Sequence, residues 1–336
     1  MTYMTATPSR VTAPRDILLD ILKQNQGKWV SGQALAKRLS MTRSAVRKKI
    51  EILKQEGYGI ESLPRRGYRL LNIPDLMLVQ EIRDGLHTAV LGQRDIHRYV
   101  STDSTNTRAK ELAVAGAAEG VLVIAEEQTQ GRGRLGRPWF SPGGENICAS
   151  LILRPSMPPE AASRMVILTA VAAAEALIAT TGLTATVKWP NDILVAGRKI
   201  GGLLLEMDVE MDAIDYMVIG LGINVNSAAE RFPKEIREKT TSVLIETGKP
   251  FSRIILLCRF LELLEHEYNV FRDSGFEPII THWKALTDML GKQVSIQTIN
   301  GRHKGVIADM DHDGFLILRD EQGCEMRLFS GDITLM

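Results

Sequence analysis

The ten residues from Gly131 to Phe140, GRGRLGRPWF, constrain the fold more than any other stretch of the chain. Three glycines and three arginines alternate there just after an apolar run, and Gly131, Gly133 and Gly136 satisfy the spacing GxGxxG. In a dinucleotide-binding turn that spacing opens a helix whose N-terminus holds a pyrophosphate. Here Pro138, Trp139, Pro142, Gly143 and Gly144 follow, and no helix can start on such a segment. The loop instead predicts a free-standing anion site. Glycines let backbone approach a ligand closely, while Arg132, Arg134 and Arg137 offer planar, multi-donor cations to phosphate or carboxylate oxygens. The plain alternative is a surface loop with solvated arginines.

A chain of 336 residues, 44% apolar and 24% charged, suffices for about two or three packed domains. Its longest apolar run, Met165 to Ala179, falls short of the ~20 residues that cross a bilayer and contains Glu175, so it predicts a buried core helix and no membrane partner. The start, MTYMTATPSR, lacks the apolar region of a signal peptide. Cys148, Cys258 and Cys324 have no CxxC spacing, which gives neither a disulfide framework nor a thiolate zinc site. The expected location is the cytoplasm. The six histidines show no ligand or triad spacing.

Charge is distributed unevenly: residues 1–71 carry 14 Lys and Arg against 5 Asp and Glu, whereas the whole chain has a net charge of only +1. A basic head on an acidic body suits a polyanionic partner. Within the head the pattern predicts a winged helix-turn-helix: helices over 14–26, from Ser31 to Leu39, and over 43–56, with the turn Ser40-Met41-Thr42 and a wing formed by GYGIESLPRRGYRLL. Gly32, Gln33, Thr42, Arg43, Ser44, Arg47, Lys48, Lys49, Arg65 and Arg66 are the candidate DNA contacts, the helix residues for the major groove and the wing arginines for phosphate or a minor groove. A solvated face, or a winged helix used for protein contacts, is the bland reading.

Pro74 marks a linker, and beyond it strands and helices alternate. The expected elements are a strand at 96–99, a helix at 107–115, buried strands at 121–125 and 147–153, a long helix at 160–181, a hairpin at 193–195 and 199–207 around an AGR turn, and a strand at 218–225. Residues 226–240 are polar without apolar period and read as a mobile loop. KWPND, Lys188 to Asp192, is the second chemical signal. Pro190 forbids a helix there, and Lys188 at a strand end is a compact point charge able to sit between two small anions. A turn whose Asn and Asp bond their own backbone is the alternative. Ser104, Thr105 and Asn106 precede a helix, where N-capping competes with ligand binding.

Taken together, GRGRLGRPWF, STDSTN, KWPND, GRKIGGLLLE and GLGIN behind a winged helix resemble the biotin protein ligase family, in its bifunctional DNA-binding form. The resemblance covers nearly the whole chain. It implies an α+β multidomain protein: a winged helix-turn-helix at 1–71, a central α/β domain of the class II synthetase-like biotin ligase type at 72–290, and a small SH3-like β-barrel at 291–336. The implied activity has two steps: biotin and ATP, with Mg2+, form biotinyl-5′-adenylate, and a lysine of a biotin carboxyl carrier protein then takes the biotinyl group. Also implied are repression at operator DNA and a ligand-promoted homodimer.

By the same resemblance Lys188, Arg132 and Arg134 are catalytic, since carboxylate attack on the α-phosphate brings two anions together and fixed cations must offset their repulsion. Biotin would meet Ser104, Thr105, Asn106, Gln128, Gly131, Arg132, Gly133, Arg134, Lys188 and Gly202, with Gly201 beside the last. ATP would meet Arg134, Arg137, Lys188, Trp139 as adenine platform, and Asn224. Asp192 is a candidate for orienting the acceptor amine or for metal binding. Arg302, His303 and Lys304 are candidates for reaching the nucleotide or the acceptor, or else form a solvated turn. Lipoate ligases, a ligand-sensing transcription factor without catalysis, and a ligase whose head has lost DNA binding are the competing functions.

Overall fold

The computed structural model describes residues 14–336; the first residues, on which the no-leader expectation rests, lie outside them. The chain forms two compact units, 1–76 and 77–336. In the first, helices α1 (Pro14–Gln24), α2 (Gly32–Arg38) and α3 (Arg43–Gln55) are followed by a hairpin, β1 (Gly59–Leu63) and β2 (Gly67–Asn72). Caps set two of the helix starts. Ser31 Oγ accepts from the Ala34 amide at 3.0 Å and Thr42 Oγ1 from that of Ala45 at 3.2 Å. Leu18, Leu22, Leu35, Val46, Ile50, Leu53 and Leu70 fill the core from one face of each element. Gly67 holds φ +102°, and a Cβ there would lie 2.1 Å from the Val30 carbonyl oxygen, so only glycine lets the wing approach the start of α2.

The second unit opens with α4 (Val79–Gly85), β3 (Ile96–Thr102), α5 (Thr105–Val114), β4 (Leu122–Gln128), β5 (Ile147–Leu153) and the long α6 (Ala162–Thr181). Strands β6 (Ala185–Lys188), β7 (Asp192–Val195), β8 (Arg198–Glu210) and β9 (Ala213–Ile223) follow, then α7 (Lys234–Arg237), α8 (Val243–Thr247), α9 (Arg253–Ser274) and α10 (Glu277–Leu286). The last elements are β10 (Gln293–Thr298), β11 (Gly301–Met310), β12 (Leu316–Arg319), β13 (Glu325–Leu328) and β14 (Asp332–Leu335).

Seven strands form one sheet in the order β3-β4-β5-β9-β8-β7-β6, with only β3 and β4 parallel. Alternation sends side chains to two faces. Val123, Ile152 and Val218 meet Ala109 and Ala113 of α5 on one face. On the other, Leu151, Leu203, Leu221 and Ile223 join the α6–α9–α10 layer. Pro159–Thr181 is long and apolar enough to cross a membrane, yet most of it is buried inside the protein, as the Glu175-bearing run predicts for a core helix. Ala196 and Gly197, at φ +49° and +73°, form the two-residue hairpin turn between β7 and β8.

The C-terminal strands make a second, antiparallel sheet in the order β13-β12-β11-β10-β14. Its apolar face, with Val294, Ile296, Ile307, Leu316 and Ile333, belongs to the same hydrophobic cluster as α6 and α9. Residues 226–240 depart from the mobile-loop expectation. They form single turns and α7 pinned by buried anchors: Phe232 is 1% exposed, Ser227 Oγ lies 2.7 Å from Glu145 Oε2, and Thr240 bridges to Lys199. Single-turn segments have no run over which an apolar period could repeat, so the sequence pattern missed them.

Candidate active site and nucleic-acid interface

Residues facing each other across an antiparallel ladder share one face. Lys188 of β6 faces Asp192 of β7, which faces Gly202 of β8, which faces Gly222 of β9, which faces Cys148 of β5. Two residues along, Leu204 faces Gly220 and Gly220 faces Ser150. These rows form a floor with its middle cut away by glycine. A Cβ on Gly222 would lie 2.5 Å from Trp139 Cε2, and one on Gly220 would lie 2.2 Å from Asn106 Oδ1. The indole and the carboxamide therefore lie directly on the backbone of β9. Together with the Gly/Arg loop they enclose a cavity of about 410 Å³, a size suited to a small-molecule ligand.

The Gly/Arg loop is a tight hairpin. Arg132 bridges to Pro138, the Gly133 amide donates to the Arg137 carbonyl at 2.7 Å, and the Trp139 amide to that of Gly131 at 2.8 Å. A single 3-10 turn, Arg134–Gly136, takes the place of the helix that a dinucleotide turn requires. Arg134 donates to Asn191 Oδ1 at 3.1 Å; burial pushes its guanidinium below the usual value, and neighbouring Arg137 adds to that. Arg137 pairs with both carboxylate oxygens of Asp332 on β14, and that hydrogen bond holds it above the usual value. The exposed Arg132 reaches Thr107 Oγ1 at 3.0 Å.

Beside this loop a polar seat is already wired. Gln128 Oε1 accepts from the Thr105 amide at 2.8 Å and from its hydroxyl at 3.0 Å, and Gln128 Nε2 donates to Ser141 Oγ at 3.1 Å. Ser150 donates to Asn106 Oδ1 at 2.6 Å, and Asn106 Nδ2 to Glu206 at 2.9 Å. Helix α5 starts at Thr105, two residues before the expected position, and Ser104 makes no side-chain cap. Asp103 serves the Ser104 amide at 2.7 Å and Gln128 that of Thr105. Ser104 thus does not cap the helix through its side chain, and it is among the residues that line the cavity.

Ser104, Thr105, Asn106, Gln128, Arg132, Gly133, Arg134, Arg137, Trp139, Lys188, Asp192, Gly202 and Asn224 all line this cavity. Gly131 and Gly201 do not. A Cβ on Gly131 would meet the Trp139 carbonyl oxygen at 2.6 Å and one on Gly201 the Gly222 carbonyl oxygen at 3.1 Å, so both serve close backbone packing. Asn224 Nδ2 donates to the Thr241 carbonyl at 3.0 Å. The KWPND turn is fixed by a cis Trp189–Pro190 bond, by Trp189 Nε1 donating to Gly314 at 3.1 Å, and by Asn191 Nδ2 donating to Leu203 at 2.7 Å. Among the wall residues not anticipated are Lys199, the pair Gly220 and Gly222, Phe232, Ile236 and Thr240 of the supposed mobile loop, and Gly331 to Thr334. Arg302, His303 and Lys304 are not on the wall; His303 Nε2 lies 3.4 Å from Thr298 Oγ1 within the C-terminal sheet. The glycines of GLGIN were the available signal, since two glycines two apart in a strand mark a close approach on one face.

In the N-terminal unit Gln33, Thr42, Arg43, Ser44, Arg47, Lys48, Arg65 and Arg66 are exposed, and Gly32 and Lys49 partly so. Among the described residues, none of Arg43, Arg47, Lys48, Arg65 and Arg66 is tied up in an ion pair. The positive faces of α3 and the wing are therefore free for phosphate and base contacts. Thr42 is engaged as the cap of α3 and shares a 2.9 Å hydrogen bond with Ser44, so its first duty is structural.

Residues 99–224 match the Biotin/lipoate A/B protein ligase family, and residues 15–69 match an HTH domain. The bifunctional ligase/repressor BirA of Bacillus spizizenii is 38% identical over 97% of this chain and 99% of its own, and that of Bacillus subtilis is 37% identical over the same shares. Among solved structures, a biotin protein ligase from Aquifex aeolicus in complex with biotin and ATP is similar at 26% identity and a TM-score of 0.62, covering 72% of this chain and 99% of that one. The fold and site define an α/β ligase body of the biotin/lipoate class joined to a helix-turn-helix head. More particularly, the chain belongs to the biotin protein ligase family, in its bifunctional ligase and repressor branch.

Proposed function

We propose that this cavity condenses biotin with ATP to biotinyl-5′-adenylate and then passes the biotinyl group to a lysine of a biotin carboxyl carrier protein. The observation that carries the reading is the convergence of Lys188, Arg132 and Arg134 on one cavity whose wall also holds the wired seat of Thr105, Asn106 and Gln128. Biotin has an apolar chain, a polar ureido head and a carboxylate. The seat offers hydroxyl and amide groups for the head, and the cations face the carboxylate.

In the first step a biotin carboxylate oxygen bonds to the α-phosphorus and pyrophosphate leaves. Lys188 stands between the two anions, where a fixed ammonium stabilises the charge of the in-line transition state. Arg132 and Arg134 close over the same oxygens. Asn191 orients Arg134, and Asp332 anchors Arg137 at the phosphate side of the loop. Trp139 and Asn224 flank the space for the base. In the second step the acceptor amine attacks the carbonyl and AMP leaves; Asp192 is the carboxylate on hand to orient that amine. Both wall carboxylates, Asp192 and Asp332, already pair with cations, so they form no cage for Mg2+, and the ion would arrive held by triphosphate oxygens and water.

The head supports biotin-responsive repression at operator DNA. Ligand-linked dimerisation would present two heads to two half-sites. A cytoplasmic setting suits a chain whose three cysteines are all free thiols. Biotin-dependent exchange of labelled pyrophosphate into ATP, run beside lipoate, tests the central reading. Exchange with biotin that is lost in Lys188→Ala is expected. Exchange with lipoate alone would move the substrate, and none with either acid would leave a ligand-sensing DNA-binding protein.

A further inference from the structure

In the helical layer behind the seven-stranded sheet, Glu175 of α6, Glu267 of α9 and His282 of α10 meet, with one ligating atom from each within 4.8 Å of the other two. Glu267 is only 1% exposed. Its Oε1 lies 3.2 Å from His282 Nδ1, while its Oε2 is buried and has no hydrogen-bond partner. We propose that these three side chains bind a divalent cation of the zinc class, at a site apart from the reaction cavity, whose wall includes none of them.

The unpartnered oxygen is the first reason. A buried carboxylate oxygen that accepts nothing has given up its hydration without return, and this one belongs to the carboxylate at the centre of the cluster. Charge is the second. The cationic groups around the two acids are His282, His266 and Arg259. Arg259 is engaged with Glu262 at 3.1 Å and His266 is exposed, which leaves the acids one imidazole between them. A divalent ion balances two carboxylates, and burial makes that balance worth more than it would be at the surface.

Ligand chemistry and spacing name the ion. Two carboxylates and an imidazole, with no thiolate, suit zinc and its first-row neighbours. Ligands about 2.0–2.1 Å from zinc at tetrahedral angles stand about 3.3–3.4 Å apart. Oε1 and Nδ1 already stand at 3.2 Å. Glu175 is half-buried and closes the remaining gap by turning about its own side-chain bonds. The His282 side chain is 41% exposed, so the fourth position opens to solvent and takes a water. Without the ion, a hydrogen on Nδ1 serves Glu267; with it, Nδ1 gives its lone pair to the metal and the hydrogen sits on Nε2. The three ligands lie far apart in sequence, and a metal clip that closes long loops is the kind that stabilises most.

The test uses the full-length protein stripped of metal with a chelator. Co2+ is the first probe, because its visible absorption reports coordination geometry, and Zn2+ is then used to displace it. One Co2+ per chain with the intense bands of a four-coordinate site, displaced by one Zn2+, is expected. Zn2+ should also raise the urea midpoint of the native protein. His282→Gln and Glu267→Gln should each weaken binding by about tenfold or more and lose the zinc-induced rise. Glu175→Gln should gain nothing from zinc either. Should Glu267→Gln fold poorly, His282→Gln, at its partly exposed position, carries the test. No four-coordinate Co2+ in the native protein, or the same affinity and spectrum in His282→Gln, would overturn the proposal and leave the acids to a shared proton or a buried water. None of these readouts involves catalysis, so the adenylation reading and this one stand or fall separately.

Discussion

Alanine at Gly222 should damage the part of the cavity proposed for the nucleotide and leave the part proposed for biotin almost untouched. The new Cβ would stand 2.5 Å from Trp139 Cε2, 2.6 Å from Nε1 and 2.7 Å from Cζ2. Carbon atoms need about 3.5–4.0 Å, so ring and strand must part by about 1 Å or slightly more. Strand β9 cannot yield, being laddered to β5 on one side and β8 on the other. The indole therefore moves, toward the space assigned to the base. A displacement of about 1 Å at a substrate-positioning group can cost up to ~10²-fold, and the expected loss in kcat/KM for ATP is about 10- to 100-fold. The biotin KM should stay within about threefold, because the network around Asn106 and Gln128 lies over Gly220 instead. Gly220→Ala should show the opposite split, since its Cβ would meet Asn106 Oδ1 at 2.2 Å. Pyrophosphate exchange at varied ATP and varied biotin, with urea midpoints to confirm folding, makes the comparison. A Gly222→Ala protein with native kcat/KM for ATP would refute the claim that the glycine exists to seat Trp139.

Arg253→Ala should cost about 3 kcal/mol in urea unfolding, because fully buried Arg253 donates to Glu126 at 2.8 Å and its loss removes one of two guanidinium partners from a buried carboxylate. Arg98 and the Met77 amide remain as partners of Glu126 at 3.0 and 2.8 Å and keep the loss from growing further; a cost below about 1 kcal/mol would show the pair to be idle. Glu175 is held above the usual carboxylate range, first by burial and then by Glu267, against the opposing pull of His282, His266 and Arg259. Since its folded pKa is raised, the stability its neutral form provides is complete below the unfolded value near 4.5 and is lost as pH rises through the folded value. Glu175→Gln should therefore raise the melting temperature at pH 7 to 8, with the gain fading toward pH 4, and an equal gain at both ends would sink the assignment.

How much could be read from residues alone depended on whether the chemistry sat within one short stretch. Lys188, the Gly/Arg hairpin and the segment from Ser104 to Asn106 were legible as parts of one cavity wall because each lies in a short run whose motifs together carry the family resemblance, although each run alone also had a purely structural reading. The cap at Ser31 and the proline at 190 likewise fixed local structure from within a short run, whereas Thr42, read as a turn residue and DNA contact, caps α3. Lys199 was not legible, because its direction depends on a bulge at Ile200, and a bulge leaves little trace in a single apolar run. Asp332 lies far along the chain from Arg137, and nothing local links them. Phe232 was passed over because one buried aromatic among charged neighbours has no period. The helix ends missed by two residues at Thr105 and Gln24 fell where caps came from unexpected partners or where a turn took over.

The apolar cluster that runs without a break from α6 and α9 into the C-terminal sheet makes those strands a poor module to exchange. A foreign β domain grafted after α10 would have to match the surface formed by Trp283, Met289 and Ile167 as well as supply its own interior. It would also have to return a residue like Asp332 to Arg137 at the cavity mouth. Recombination between relatives should therefore succeed with crossovers in the linker at 72–76 and fail with crossovers near 290, so that heads can change owners while bodies and tails must descend together.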